Sequence, residues 1–90
     1  MSNTLPVEFA DLERFMPWAL PTEDARMRKR LASSMVELTD YYRTLLPRME
    51  ALAEHLSKFS IDALPAEQKP LLYLGLMFME AAVCVELFKG

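Results

Sequence analysis

Few side chains in this chain could do chemistry. Its 90 residues hold one histidine, His55, and one cysteine, Cys84. A nucleophilic Cys–His pair needs its members within hydrogen-bond reach. A lone cysteine excludes an internal disulfide framework and any multi-cysteine zinc site within one chain. A lone histidine excludes the paired-histidine metalloprotease motif. Carboxylate-bridged di-iron bundles need Glu-x-x-His turned inward. Glu50 and Glu54 precede His55, but Leu52 stands three residues before it, so that pattern fails. Phosphate-binding glycine loops and the G-x-S-x-G nucleophile elbow are absent. No catalytic residue, metal or cofactor is expected, and the chain reads as a non-enzyme.

Two charged features remain. Glu80 stands in the most apolar stretch of the chain. A carboxylate there is expected to pair with Arg43 or Arg48, or to accept from Tyr41 or Tyr42. Its functional alternative is a carboxylate anchoring a ligand in a pocket. Arg26, Arg28, Lys29 and Arg30 form the one run of bases. Arg26, Lys29 and Arg30 share one side of a helix and make a basic patch. Glu23 and Asp24 one turn before, a net charge of -3, and the lack of interleaved aromatic residues speak against nucleic acid. A solvated face is the expected role.

These residues need elements to position them. Leu, Ala, Met, Glu and Arg dominate, and no segment alternates with period two, so the fold class is all-α. The composition, 52% hydrophobic and 26% charged, is that of a globular chain, and the length allows one domain over 1–90. Residues 6 to 16 read as a short helix with Phe9, Leu12, Phe15 and Met16 at helical spacing, ended by Pro17. Trp18-Ala19-Leu20-Pro21 is an apolar connector, and Thr22 is a strong helix start.

From Leu31 a stripe continues through Met35, Leu38, Tyr42, Leu45, Met49, Leu52, Leu56 and Phe59 in heptad steps. Its phase survives Pro47, which favours one long helix from 23 to about 58, kinked at Pro47, over a new helix started by Pro47. That helix would span roughly 54 Å. A short connector around Ser60–Pro65 leads to an apolar last helix reaching 88. Folding this hairpin back places residues whose numbers sum to about 126 opposite each other. His55 and Cys84 would then lie about 20 Å apart along the axis.

The last helix is apolar on two faces. One carries Leu71, Gly75, Phe78, Ala82 and Val85; the other carries Leu72, Leu76, Met79, Val83 and Leu87. The long helix can cover one of them. Size-matching against large neighbours is the expected reason for Gly75 and Ala82. The second face is the expected interface of a symmetric homodimer, with a further protein partner allowed by the same kind of surface.

The leading reading is therefore a small non-enzymatic interaction or accessory protein acting as a homodimer: an antiparallel bundle of a short N-terminal helix, a long Pro-kinked helix and an apolar C-terminal helix. The alternative is a binding protein for a hydrophobic ligand in a Met/Phe/Trp-lined cavity, with Trp18, Tyr73, Met77 and Glu80 as contacts.

The stretch 70–88 averages about +1.7 in hydropathy, near the threshold for a membrane span. Glu80 and Glu86 argue against one. The first residues lack a basic-then-apolar leader pattern, and a free Cys84 suits the cytoplasm.

Trp18-Ala19-Leu20-Pro21-Thr22-Glu23, Leu46-Pro47-Arg48 and Ala63-Leu64-Pro65 resemble segments of a set of short uncharacterised bacterial all-helical proteins. The resemblance covers 18–88. It implies a free-standing bacterial protein and no particular activity.

Overall fold

A computed structural model describes residues 5–89, with the side chains of residues 61 and 87–89 left aside. Every regular element among the described residues is helical. A 3-10 helix, Val7–Trp18, is followed by α1 (Glu23–Ala32), α2 (Met35–Leu45), α3 (Met49–Leu56) and α4 (Lys69–Lys89). Short 3-10 turns, Leu46–Arg48, Ile61–Ala63 and Ala66–Gln68, join the later elements.

The N-terminal element is tighter than the α-helix expected there. A 3-10 helix has three residues per turn, so every third side chain shares a face. Phe9, Leu12, Phe15 and Trp18 fall at that spacing, and all four are buried. The element is not one unbroken run: Phe9 has non-helical backbone angles and kinks it near its start, and burial of the stripe compensates for the poorer hydrogen bonds of 3-10 geometry. Pro17 lies inside the element and does not end it. Its ring restricts the preceding residue but does not forbid the 3-10 turn that carries the chain to Trp18.

The single helix expected from 23 is interrupted at Ser33–Ser34. Both serines adopt extended backbone angles. Ser34 and Glu37 make a reciprocal capping box: the Ser34 hydroxyl accepts from the Glu37 N–H at 3.1 Å, and the Glu37 carboxylate accepts from the Ser34 N–H at 2.8 Å. A helix start this well satisfied outcompetes continuation from α1. The longest dimension of the molecule is accordingly 37 Å, not 54 Å. At Pro47 the chain stays helical, since Leu45, Leu46, Arg48 and Met49 all keep right-handed helical angles. Thr22 caps α1 as expected, its hydroxyl accepting from the Ala25 N–H at 3.1 Å.

α4 packs against α2, α3 and the N-terminal 3-10 helix. It runs back along α3 and α2, close to the expected register. Gln68 meets His55, Gly75 faces Leu52 and Met49, and Phe78 stacks on Tyr42. The core comprises Leu12, Phe15, Trp18, Leu38, Tyr41, Leu45, Leu52, Leu71, Leu74, Met77, Ala81 and Val85 with their neighbours. The first part of the expected heptad stripe is not in it: Leu31 is 79% exposed and Met35 42%. The break at Ser33 puts Leu31 and Leu38 on separate helices, so they no longer share a seam.

Candidate functional site

Glu80 is the centre of the most organised polar cluster. Its partners are not Arg43, Arg48 or the tyrosine hydroxyls but two arginines of α1. Glu80 Oε1 accepts from Arg26 Nε at 2.9 Å and from Arg30 Nη1 at 2.7 Å. Arg26 also donates to the Leu20 carbonyl at 3.0 Å. The Arg26 side chain is only 7% exposed, against 24% for Glu80. The basic patch is thus turned inward at two of its three positions. The third, Lys29, lies 5.0 Å over the Trp18 ring. A guanidinium this far buried needs its carboxylate, because an unpaired charge out of water is costly. The spacing that put Arg26 and Arg30 on one face was visible in the sequence. What it faced was not, because the Ser33 break lets α1 swing onto α4.

Tyr41 holds the aromatic centre. Its ring stacks on Trp18 at 4.7 Å, meets Phe15 edge-on at 5.0 Å, and its hydroxyl donates to the Leu74 carbonyl at 2.6 Å. Burial, and secondarily the Glu80 charge, push the Tyr41 phenol well above its ordinary range. Tyr42 donates to the Glu86 carboxylate, and this hydrogen bond raises its pKa as well.

The expected ligand contacts Trp18, Tyr73, Met77 and Glu80 are placed as follows. Trp18 and Met77 are core residues, Tyr73 is half-buried, and Glu80 is ion-paired. Two cavities described for the molecule are lined by other residues. One, of about 480 Å³, lies between the 3-10 helix and α3, over Phe9, Arg48, His55 and Lys58. The other, of about 450 Å³, is an open groove on α2 at Met35, Val36, Thr39, Asp40 and Arg43.

His55 lines the first cavity. Its Nε2 pairs with Gln68 Oε1 at 2.8 Å, and its ring sits edge-on to Phe9. Its buried Nδ1 has no hydrogen-bond partner. Arg48 donates to the Glu8 carbonyl at 2.6 Å, and its Nε lies 3.3 Å from Asp11 Oδ2, near enough for an ion pair but not aligned as a hydrogen bond. Cys84 is free and half-buried on α4. Among the described residues, no three His, Cys, Asp or Glu side chains gather as metal ligands would.

The expected interface residues are on the outer side of α4. Leu72 and Leu76 are half-buried, Met79 is 58% exposed and Val83 59%. The Leu87 side chain lies outside the described residues. Residues 66–86 are long and apolar enough to cross a membrane by length and composition, with mean hydropathy 1.2, and 39% of that window is buried in the protein. A second exposed apolar set comprises Met27 and Leu31 on α1 and Met35 and Val36 on α2.

Comparison with known proteins returns no match: no family model fits the chain, and no curated protein or solved structure is significantly similar to it.

Proposed function

We propose that this is a non-enzymatic interaction or accessory protein of the cytoplasm that works as a homodimer. Its recognition surface is a helix face, and the assembly is an antiparallel helical bundle. The observation that carries the reading is the outer stripe of α4. Leu72, Leu76, Met79 and Val83 lie on the most apolar helix, and its two outermost side chains are more than half exposed. Apolar surface arranged in a row on a rigid helix is suited to a partner helix.

The polar groups support the same reading. Glu80, Arg26 and Arg30 satisfy one another, and His55 is engaged by Gln68 and two aromatic rings. With two of the three patch residues so engaged, little basic surface is offered to nucleic acid. Glu80 bound to two arginines of another helix also speaks for α4 remaining with the protein body and not entering a bilayer. The ligand-cavity alternative has less behind it, because Trp18 and Met77 fill space against their own neighbours.

Light scattering on a gel-filtration peak, without detergent, tests the proposal. The expected mass is twice 10.4 kDa. Leu76→Lys or Val83→Lys is expected to return the protein to a monomer. A wild-type monomer overturns the homodimer, and a dimer that survives both substitutions moves the interface off α4.

A further inference from the structure

We infer that two copies pair through α4 in one register, antiparallel, with Lys69 of each copy layered against the partner's Glu86. The inference rests on the homodimer reading and adds its geometry. Leu72, Leu76, Met79 and Val83 alternate in steps of four and three, as the seam positions of a coiled coil do. Continuing the same steps outward reaches Lys69 before Leu72 and Glu86 after Val83, with Leu87, the last apolar residue of this face, next to Glu86 in the sequence. Lys69 and Glu86 are both exposed. The seam is therefore a row of four apolar residues closed by a cation at one end and an anion at the other.

That asymmetry selects the direction of pairing. In a parallel pair each seam residue meets its own copy, so Lys69 would face the partner's Lys69 and Glu86 the partner's Glu86. Like charges in a seam are destabilising. In an antiparallel pair related by a two-fold axis, the seam is read backwards. Leu72 then meets the partner's Val83, and Leu76 meets the partner's Met79. Lys69 meets the partner's Glu86 at both ends. Every layer is apolar against apolar or cation against anion.

A second observation points the same way. Lys69 opens α4 and Glu86 lies in its last turn. Both have the wrong sign for their own helix end, where the macrodipole favours an acid at the start and a base at the finish. In the antiparallel register Glu86 sits beside the start of the partner helix and Lys69 beside its end, so each complements the other chain's dipole. Within the chain, Glu86 accepts from the Tyr42 hydroxyl and Lys69 has no ion-pair partner among the described residues.

A charge-swap series on the full chain tests this. Lys69→Glu, Glu86→Lys and the double substitution are compared with wild type by sedimentation equilibrium, with helicity checked by circular dichroism. Each single change sets like charges against each other at both ends, and is expected to raise the dimer dissociation constant about tenfold. The double substitution restores opposite charges and is expected to recover to within about threefold of wild type. Recovery in the double variant supports the register. A wild-type dimer whose single variants dissociate no more readily, or whose double variant is the weakest, overturns the register and leaves the homodimer standing. A wild-type monomer at about 100 μM overturns both. Should Glu86→Lys lose helicity with its Tyr42 bond, Lys69→Glu alone decides: unchanged dissociation overturns the register and tenfold weakening supports it.

Discussion

In the core around α4 the largest fully buried side chains are Leu12, Tyr41, Leu45, Leu71, Leu74 and Met77, whereas the one buried residue of α1 is Arg26. The two regions are held by different forces. The core gains from apolar area and from a tight aromatic cluster around Tyr41. α1 carries its apolar residues outward, with Leu31 79% and Met27 43% exposed, and turns Arg26 and Arg30 toward one carboxylate. Its backbone comes close to α4 at fewer places than those of α2, α3 and the 3-10 helix do. A helix bound in this way has few buried apolar contacts, which places it at the low-stability end of the molecule. The contrast teaches that basic residues spaced along one helix face need not be a docking patch: here two of them bind the helix to its own protein.

Removing apolar volume from the core is expected to have the largest effect. Leu12→Ala leaves a cavity under a fully buried residue and should cost about 3 kcal/mol of global stability. Urea unfolding measures it. A loss under about 1 kcal/mol would mean that the 3-10 helix is not part of the same cooperative unit.

Glu80→Gln attacks the other region. A buried pair broken on one side costs about 3–5 kcal/mol, but Glu80 is partly open to solvent, so about 2 kcal/mol is expected. The loss should be local. Hydrogen exchange is expected to show amides of 23–32 losing protection while those around Leu74 and Met77 keep theirs. Equal loss in both regions would remove the distinction drawn between them.

The same contrast explains how much was legible in the sequence. All-helical architecture follows from composition, and the α4 register follows from a short connector, so both could be read. The partners of Glu80 could not, because they depend on where α1 ends. Ser34-Met35-Val36-Glu37 carried the signal, an S-x-x-E capping box, but the heptad phase running through it was the louder pattern. Once the chain is interrupted at Ser33, Arg26 and Arg30 reach α4, and Met35 and Leu31 leave the seam. Likewise the spacing of Phe9, Leu12, Phe15 and Trp18 is strictly three, the period of a 3-10 helix. Including Trp18 in that row would have carried the element through Pro17.

Tyr41 ties the core to solution pH. Its phenol pKa is raised from 10.0 in the folded protein, chiefly by burial. Below pH 10 both states keep the proton and the contribution is constant. Above it the unfolded chain loses the proton while the folded one retains it, so the unfolded state binds fewer protons and stability falls. The slope from this one group is about 1.4 kcal/mol per pH unit. Tyr41→Phe is expected to lose about 1 kcal/mol at neutral pH, with the hydrogen bond to Leu74, and to flatten the alkaline decline. Unfolding curves of both proteins between pH 9 and about 11 measure the difference. Parallel declines would show that Tyr41 ionises as easily folded as unfolded.

Gly75→Ala probes a close approach within the core and should have the smallest effect. The added methyl would lie 3.2 Å from Leu52 Cδ2 and 3.8 Å from Met49 Cε. Alanine in place of glycine in a helix interior gains about 1 kcal/mol in propensity. Against that stands a contact tighter than ordinary, met by the far end of a leucine that is 3% exposed and has little room to yield. Displacing a packed side chain by a few tenths of an ångström costs about 1 kcal/mol or somewhat more. The two effects nearly cancel, so a change within about 1 kcal/mol of zero is expected, with α1 unaffected. A clear gain would mean that Leu52 relaxes freely and that the α3–α4 contact is looser than the rest of the core. A loss of about 3 kcal/mol would make it the tightest contact, and would tie the placement of α4, and with it the outward aim of its stripe, to that one glycine.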